Sequence, residues 1–255
     1  MPKYSQVFLN DKDICARIAA ALEGASFDRL VEIGPGGGAL TDFLFPEYGG
    51  RMCAVEIDKR LVPGLNAKFP GLEIVNTDFL HADLEKIAGP GKTAFIGNLP
   101  YECATPILEK TLLFAGLELA VFMFQKEVAH KILSAPGGPD YGYLTLLTGC
   151  RASSELLMEI KAESFQPVPA VDSSVVVFRP RRYFSDKAEE LRVLNLVKKA
   201  FLHRRKTLVN SLALCGIDKA AAAAAVAQAG FKLNARPQEI PLDGFVRLAG
   251  LLAGK

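Results

Sequence analysis

Leu30-Val-Glu-Ile-Gly-Pro-Gly-Gly-Gly-Ala-Leu-Thr41 is the stretch whose reading decides the fold. Leu30–Ile33 is an apolar run interrupted by one acid, the composition of a buried strand. A glycine turn follows, then the start of a helix. Strand, glycine turn and helix in that order open an α/β sheet. Gly34 and Gly36 remove side chains, so a ligand can approach backbone N–H groups at a helix N-terminus. Gly34, Gly36 and Ala39 also satisfy the pattern G-x-G-x-x-G/A. Glu56 ends the next apolar run, 22 residues after Gly34, where a carboxylate can accept both hydroxyls of a ribose. A nucleoside-bearing cofactor follows; NAD and S-adenosylmethionine both fit this much.

Outward from that turn, apolar runs at Leu30–Ile33, Met52–Ile57, Leu72–Val75, Ala94–Ile96 and Leu119–Phe124 read as strands. The stretches 11–22, 39–45, 59–68 and 104–115 between them suit helices. Strands alternating with helices imply right-handed βαβ crossovers and a mostly parallel sheet. Leu156–Ile160 and Ser174–Phe178 lie close enough in sequence for an antiparallel edge pair. Beyond Arg182 no strand is expected. Leu191, Leu194, Val197 and Phe201 recur at helical spacing, and Ala220–Ala225 is strongly helix-forming and stops before Gly230. The expected fold class is therefore α/β, residues 1–183, followed by a small all-helical domain, 184–255.

The chain has 255 residues, half of them apolar, enough for one large core and an appendage. No apolar stretch is long enough to span a bilayer, and the N-terminal residues lack a signal-peptide pattern, so a cytoplasmic location without membrane attachment is expected. Five scattered cysteines without a C-x-x-C, and three histidines without ligand spacing, argue against a disulfide framework and a metal site. Charge is unevenly distributed. Residues 1–183 carry 18 Lys and Arg against 22 Asp and Glu, net −4; residues 184–255 carry 12 against 6, net +6. A basic tail on an acidic body points to a polyanionic partner.

Asn98-Leu99-Pro100-Tyr101 follows the apolar run Thr93–Gly97, so an amide, a proline-fixed turn and an aromatic ring sit at a strand's carboxyl end, the ligand-binding edge of such sheets. Asn98 offers a side-chain acceptor, neighbouring carbonyls can accept as well, and Tyr101 offers a face for a base. Asp78 follows the third strand, where it can accept from an adenine amino group with Phe79 or Ile57 flanking the ring; Asp is equally at home as a helix N-cap. Asn-Leu-Pro-Tyr has no evident use in hydride transfer, which tilts the cofactor towards S-adenosylmethionine.

At this point the chain resembles the ribosomal RNA adenine dimethyltransferases, most closely their bacterial small-subunit branch. The resemblance runs through Ser5–Leu9, Val31–Thr41, Ala54–Asp58, Asn98–Tyr101, Phe124–Ala129, Tyr141–Thr145, Phe165–Ser173, Ala200–Leu208 and Arg236–Ile240. It implies a Rossmann-like class I S-adenosylmethionine methyltransferase sheet. It also implies dimethylation of two adjacent adenines in the 3'-terminal hairpin loop of 16S rRNA, in a pre-assembled small subunit, by a monomer. Residue by residue, Leu9 would pack near the methionine end of the cofactor and Gly34 against its backbone, with Gly36 beside it. Glu56 would hold the ribose, Asp78 the adenine amino group, and Ile57 and Phe79 the ring. Asn98 would sit between methyl donor and target base, and Tyr101 and Phe165 would sandwich that base. Ser5 and Val7 replace the family's usual Gly and Asn, so only a main-chain contact at Val7 remains to the cofactor. Ala170 stands where Lys is common, and Gly37 where a bulkier residue is usual.

The adenine N6 is a poor nucleophile because its lone pair is delocalised into the ring. Acceptance of its two N–H groups by Asn98 and by a carbonyl of Leu99 or Pro100 would turn that lone pair towards the methyl group. The target base has to leave its stack to reach the pocket. Arg179, Arg181 and Arg182 at the linker, with Lys198, Lys199, Arg204, Arg205 and Lys206, would supply salt-sensitive phosphate contacts. Two other readings use the same residues: a large-subunit adenine methylase of the macrolide-resistance type, and a ribosome-assembly factor that acts mainly by binding. An NAD oxidoreductase is a third, separable by cofactor binding alone.

Overall fold

The structure is a computed structural model that describes residues 8–253; Val7, expected to touch the cofactor, lies outside the described residues. The elements of the first part are β1 (Phe8–Leu9), α1 (Lys12–Ala20), β2 (Arg29–Ile33), α2 (Thr41–Tyr48), β3 (Met52–Glu56), α3 (Val62–Lys68), β4 (Glu73–Asn76), α4 (Leu84–Ala88), β5 (Thr93–Asn98), α5 (Ala104–Leu113) and β6 (Leu117–Gln125). There follow α6 (Lys126–Leu133), α7 (Tyr143–Arg151), β7 (Ala152–Ile160), β8 (Phe165–Gln166) and β9 (Ser173–Pro180). The chain closes with α8 (Lys187–Leu202), α9 (Leu208–Leu214), α10 (Lys219–Gln228) and α11 (Leu242–Leu252). Among the described residues no helix is long and apolar enough to cross a membrane.

Seven strands form one sheet in the order β4-β3-β2-β5-β6-β9-β7. The first five are mutually parallel, and β9 runs antiparallel to β6. The order reverses at β2, from which the chain winds outward through β3 and β4 on one side and β5 and β6 on the other. The interior strands β2, β3 and β5 are apolar almost throughout because helices cover both faces of a parallel sheet. β4, at the edge, begins and ends on exposed polar residues, Glu73 and Asn76. The expected strand pair is present with its order settled: β9 is interior and β7 is the edge. Ser153, early in β7, donates to the Arg179 carbonyl late in β9, while Lys161 just past β7 pairs with Asp172 just before β9. Those ends meet only in an antiparallel pair. A separate two-stranded ribbon, β1 with β8, sets Leu9 opposite Phe165. Two-residue strands carry no periodic signal, which is why the sequence shows neither.

The chain divides into two compact units, Met1–Ala129 with Ser153–Pro180, and His130–Ala152 with Arg181–Lys255. The sequence reading placed a single boundary at residue 183. The second unit begins close to there but also takes in the segment of α7, because Tyr141 and Leu146 share a core with Val193, Val197, Leu212, Phe245 and Leu248. The Tyr141 hydroxyl donates to the Ile240 carbonyl at 2.9 Å, and Arg151 pairs with Glu190 at 2.8 Å. As expected, the region after Arg182 is helical. Asp218 caps α10 by accepting from Ala221 N–H at 2.8 Å, and Gly230, with φ of 86°, follows its end.

One close approach positions the site. A Cβ on Gly97 would lie 2.5 Å from the Ile33 carbonyl oxygen, so β5 can flank β2 there only without a side chain. Gly97→Ala is expected to lower stability by at least ~2 kcal/mol in urea unfolding. Gly37→Ala, which meets nothing within 4 Å, should stay within about 0.5 kcal/mol of the parent.

Candidate active site

The carboxyl ends of β4, β3, β2 and β5 lie side by side, and each carries one of the residues expected to act. After β2 the chain makes its turn with Gly34, Gly36 and Gly38 at φ of 68°, 58° and 81°, a region open to glycine at little cost. Gly34 N–H donates to the Val55 carbonyl at 2.9 Å, fastening the turn to β3. Gly36 N–H donates to Glu56 Oε2 at 3.1 Å, and Asp58 N–H to Glu56 Oε1 at 2.8 Å. Glu56 is thus clamped at both oxygens and only 3% exposed. Burial pushes its carboxyl above the usual range, opposed by those N–H donors.

Glu32 is a second buried acid, one the sequence reading did not single out. It is 2% exposed and accepts from Thr41 Oγ1 at 2.7 Å, so β2 and the first residue of α2 are stapled across the glycine turn. Burial pushes its carboxyl up to about 7; the Thr41 hydrogen bond lowers it, and Glu56 and Asp42 raise it. Its signal in the sequence was an acid alone in an apolar strand.

Asn76 Nδ2 and Thr77 N–H both donate to the Glu56 carbonyl, at 2.6 and 3.1 Å, which brings the end of β4 against β3. Asp78 follows at once. Its Oδ1 accepts Leu80 N–H at 2.9 Å, and its carbonyl accepts from His81 and Ala82, so it caps the turn it begins. Capping and ligand binding are compatible, since a carboxylate has about four acceptor positions. Phe79 is buried edge-on against Phe95, with ring centroids 6.2 Å apart. Ile57 is half-buried.

At β5 the missing Cβ of Gly34 would lie 4.0 Å from the Asn98 carbonyl, so the amide residue and the glycine turn are neighbours. Asn98, Pro100 and Tyr101 are half-buried and Leu99 is buried. The Pro100 carbonyl accepts Cys103 N–H at 3.1 Å and faces its thiol at 3.6 Å. Both of its lone pairs are engaged, which leaves Leu99 as the better second acceptor. The Tyr101 hydroxyl and Ser173 Oγ share a hydrogen bond of 2.9 Å that fixes the ring.

Phe165 is the residue expected to face Tyr101 across the target base. It is 3% exposed, opposite Leu9 in the β1–β8 ribbon and inside the core of the first unit. An aromatic heading a Pro-rich stretch reads as loop, and the two-residue strand that buries it is invisible in sequence. Phe8 is a residue the reading missed: its ring lies against the glycine turn, 2.9 Å from where a Gly36 Cβ would sit. Phe8 and Leu9 also line a cavity of about 920 Å³ with Lys12, Ala39, Phe43 and Leu61. Among the described residues, Leu9 is the one expected cofactor residue that lines this space.

The basic residues divide. Arg179 belongs to the first unit, where it pairs with Glu155 at 3.4 Å. Arg181, Arg182, Lys198, Lys199, Arg205 and Lys206 are exposed on the second unit. Lys198 Nζ lies 5.1 Å from the centre of the Tyr143 ring, and Arg204 donates to the Pro139 carbonyl. His203–Lys206 is a turn after α8, not a helix face.

The model of the family described as ribosomal RNA adenine dimethylase matches residues 1–249. The chain belongs to that family. A protein of Pseudomonas fluorescens named ribosomal RNA small subunit methyltransferase A is 37% identical over 257 residues, which is 98% of this chain and 93% of that protein. One of the same name from Myxococcus xanthus is 41% identical, covering 82% and 76% of the two chains. Among solved structures, the 23S rRNA methyltransferase ErmE is 30% identical with a TM-score of 0.72, covering 96% of this chain and 99% of that one. A dimethyladenosine transferase from Plasmodium falciparum shares the fold at a TM-score of 0.78 and 22% identity, over 94% and 95% of the chains.

Membership in the dimethylase family makes this chain an enzyme whose methyl donor is S-adenosylmethionine. The donor set fits that cofactor: a side-chain-free turn, a buried carboxylate for a diol and a second carboxylate beyond the next strand. No reducing group is called for.

Glu32 carries the pH dependence. Its carboxyl is raised above the unfolded value of 4.5 to about 7, so the folded state holds the proton more tightly. Its contribution to stability is complete below pH 4.5 and is lost as pH rises through 7. The expected loss is on the order of 3 kcal/mol between pH 5 and 8. Glu32→Gln should flatten that fall, as read by thermal unfolding across the range; an unchanged profile would refute the assignment.

Proposed function

We propose that this chain transfers methyl groups from S-adenosylmethionine to N6 of two adjacent adenines in the 3'-terminal hairpin loop of 16S rRNA during small-subunit assembly. The observation that carries the reading is the Asn98 turn at the end of β5, set against Gly34 by a glycine that admits no side chain. Small-subunit substrate is supported by the relatives that bear that name.

S-adenosylmethionine supplies an electrophilic sulfonium methyl. The protein's part is to place and orient the acceptor. Glu56 holds the ribose hydroxyls with the lone pairs that Gly36 and Asp58 leave open. Asp78 accepts from the cofactor's adenine amino group. Asn98 Oδ1 and the Leu99 carbonyl accept the two N–H bonds of the target nitrogen, draw it towards a pyramidal geometry and aim its lone pair at the methyl carbon. No strong base is needed, because the nitrogen becomes acidic only once it is methylated. For the second transfer the amide group serves again, since it can accept from or donate to a nitrogen that has lost one N–H. Tyr101, held by Ser173, supplies one wall for the flipped base. Phe165 supports the ribbon beneath it. The exposed cations of the second unit hold rRNA phosphates.

The direct test is transfer of labelled methyl from S-adenosylmethionine to unmethylated small ribosomal subunits, with nucleoside mass spectrometry of the RNA. N6,N6-dimethyladenosine in 16S rRNA is the expected product. Transfer only to large-subunit RNA would favour the second reading, for which the similarity to ErmE speaks. Asn98→Ala should lower turnover by about a hundredfold or more with cofactor affinity within a few fold, in line with losing one positioned acceptor. Arg205→Glu with Lys206→Glu should weaken subunit binding, flatten its salt dependence and leave cofactor affinity unchanged.

A further inference from the structure

Lys110 lies on α5, the helix that begins just after the Asn98 turn. Its ammonium group reaches the turn that follows β4 and meets three backbone carbonyls: Phe79 at 2.8 Å, Leu80 at 2.9 Å and Ala82 at 2.6 Å. An ammonium has three N–H bonds, so its donors are fully used within one turn of chain. The same nitrogen lies 5.5 Å from the centre of the Phe79 ring. Burial lowers the proton affinity of this amine, and the carboxylates of Asp78 and Asp83 raise it. The group sits among three converging carbonyls, of which Phe79 also accepts the Ala82 N–H at 3.2 Å.

Backbone bonds from His81 and Ala82 to Asp78 and from Ala82 to Phe79 shape that turn. Asp78 closes it from one end through Leu80 N–H. Lys110 closes it from within. Removing the ammonium takes a donor from all three carbonyls, leaving Phe79 only the Ala82 N–H at 3.2 Å, and the turn has to open to hydrate them.

We propose that Lys110 is the positioning residue of the cofactor's adenine subsite: its ammonium clamps the Phe79–Ala82 carbonyls and thereby aims the Asp78 carboxylate at the adenine amino group. The proposal rests on the reading of Asp78 as the acceptor for that amino group. Lys110 does not touch the cofactor; it acts through the turn. Because α5 grows out of the Asn98 turn, one side chain couples the placement of the adenine to the element that places the target nitrogen.

The test compares binding of S-adenosylhomocysteine with that of its inosine counterpart, in which a 6-oxo group replaces the amino group. Full-length parent protein should prefer the amino compound by about tenfold or more, since the analogue sets a carbonyl against a carboxylate. Lys110→Met should bind the two within about threefold of each other and show a KM for S-adenosylmethionine raised about tenfold, with kcat at saturation nearly unchanged. Lys110→Arg, which keeps a cation and several donors, should restore most of the preference. If Lys110→Met is too unstable to assay, Lys110→Gln, with one neutral donor pair, should fall between the two. A parent preference retained in full by Lys110→Met or Lys110→Gln overturns the role of Lys110 while leaving Asp78 in place. Absence of any preference in the parent overturns the reading of Asp78 itself, and the proposal with it.

Discussion

The approach of β5 to β2 at Ile33 and Gly97 is the constraint on which the site depends. Parallel strands keep their spacing by hydrogen bonding, and side chains normally lie above and below the sheet. Where the strands end, the chain leaves that plane, and a side chain on Gly97 would collide with the Ile33 carbonyl. Without one, the carbonyl of Asn98 comes near Gly34, and the turn proposed for the methyl donor adjoins the turn proposed for its acceptor. The remaining contacts secure this junction. Glu56 holds Gly36 from β3, Thr41 holds Glu32 across the turn, and Asn76 ties β4 to β3.

The parallel half of the sheet was legible in the sequence because strands buried on both faces must be apolar throughout. β2, β3, β5 and β6 each replaced a helix-like period with a nearly continuous apolar run. The glycine turn was legible because glycine takes positive φ at little cost, and Glu56 and Asp78 stood out as acids at or just past the ends of apolar runs. What escaped was held by contacts distant in sequence. The β1–β8 ribbon joins segments 156 residues apart, as the Asn10–Gln166 bond at its end shows, and two residues cannot advertise a strand. Phe165 read as a loop residue for that reason. Lys110 gave no signal in the sequence, because its partners are carbonyls of a turn on another segment. The boundary between the units also escaped, since α7 belongs by packing to a core made mostly of residues far downstream.

The site is acidic where its methyl donor is cationic. Glu32 and Glu56 lie buried under the glycine turn, and Asp78 follows two residues past the next strand. Each carboxylate already accepts a hydrogen bond from the protein, at Thr41, Gly36 and Leu80 respectively. Such groups are oriented before a ligand arrives, so little of the binding free energy is lost in ordering them. The cations proposed to meet the polyanion are exposed on the second unit, where solvent screens them and phosphate contacts exchange readily.

The second unit is discontinuous: His130–Ala152 belongs to it, yet the strand and loop of Ser153–Pro180 return to the first. During synthesis the early piece emerges long before α8 to α11, and its apolar side chains wait for partners not yet made. The first unit cannot close its sheet either until β9 arrives, after that piece has passed. The two units are therefore interleaved in time as well as in sequence. A truncation after residue 183 would not release a clean catalytic domain, because α7 would go with it and expose Leu146, Leu147 and Cys150. The helical part is in this sense not an accessory that a simple gene fusion could add or remove; it was threaded through the sheet-forming part, and the two must be inherited together.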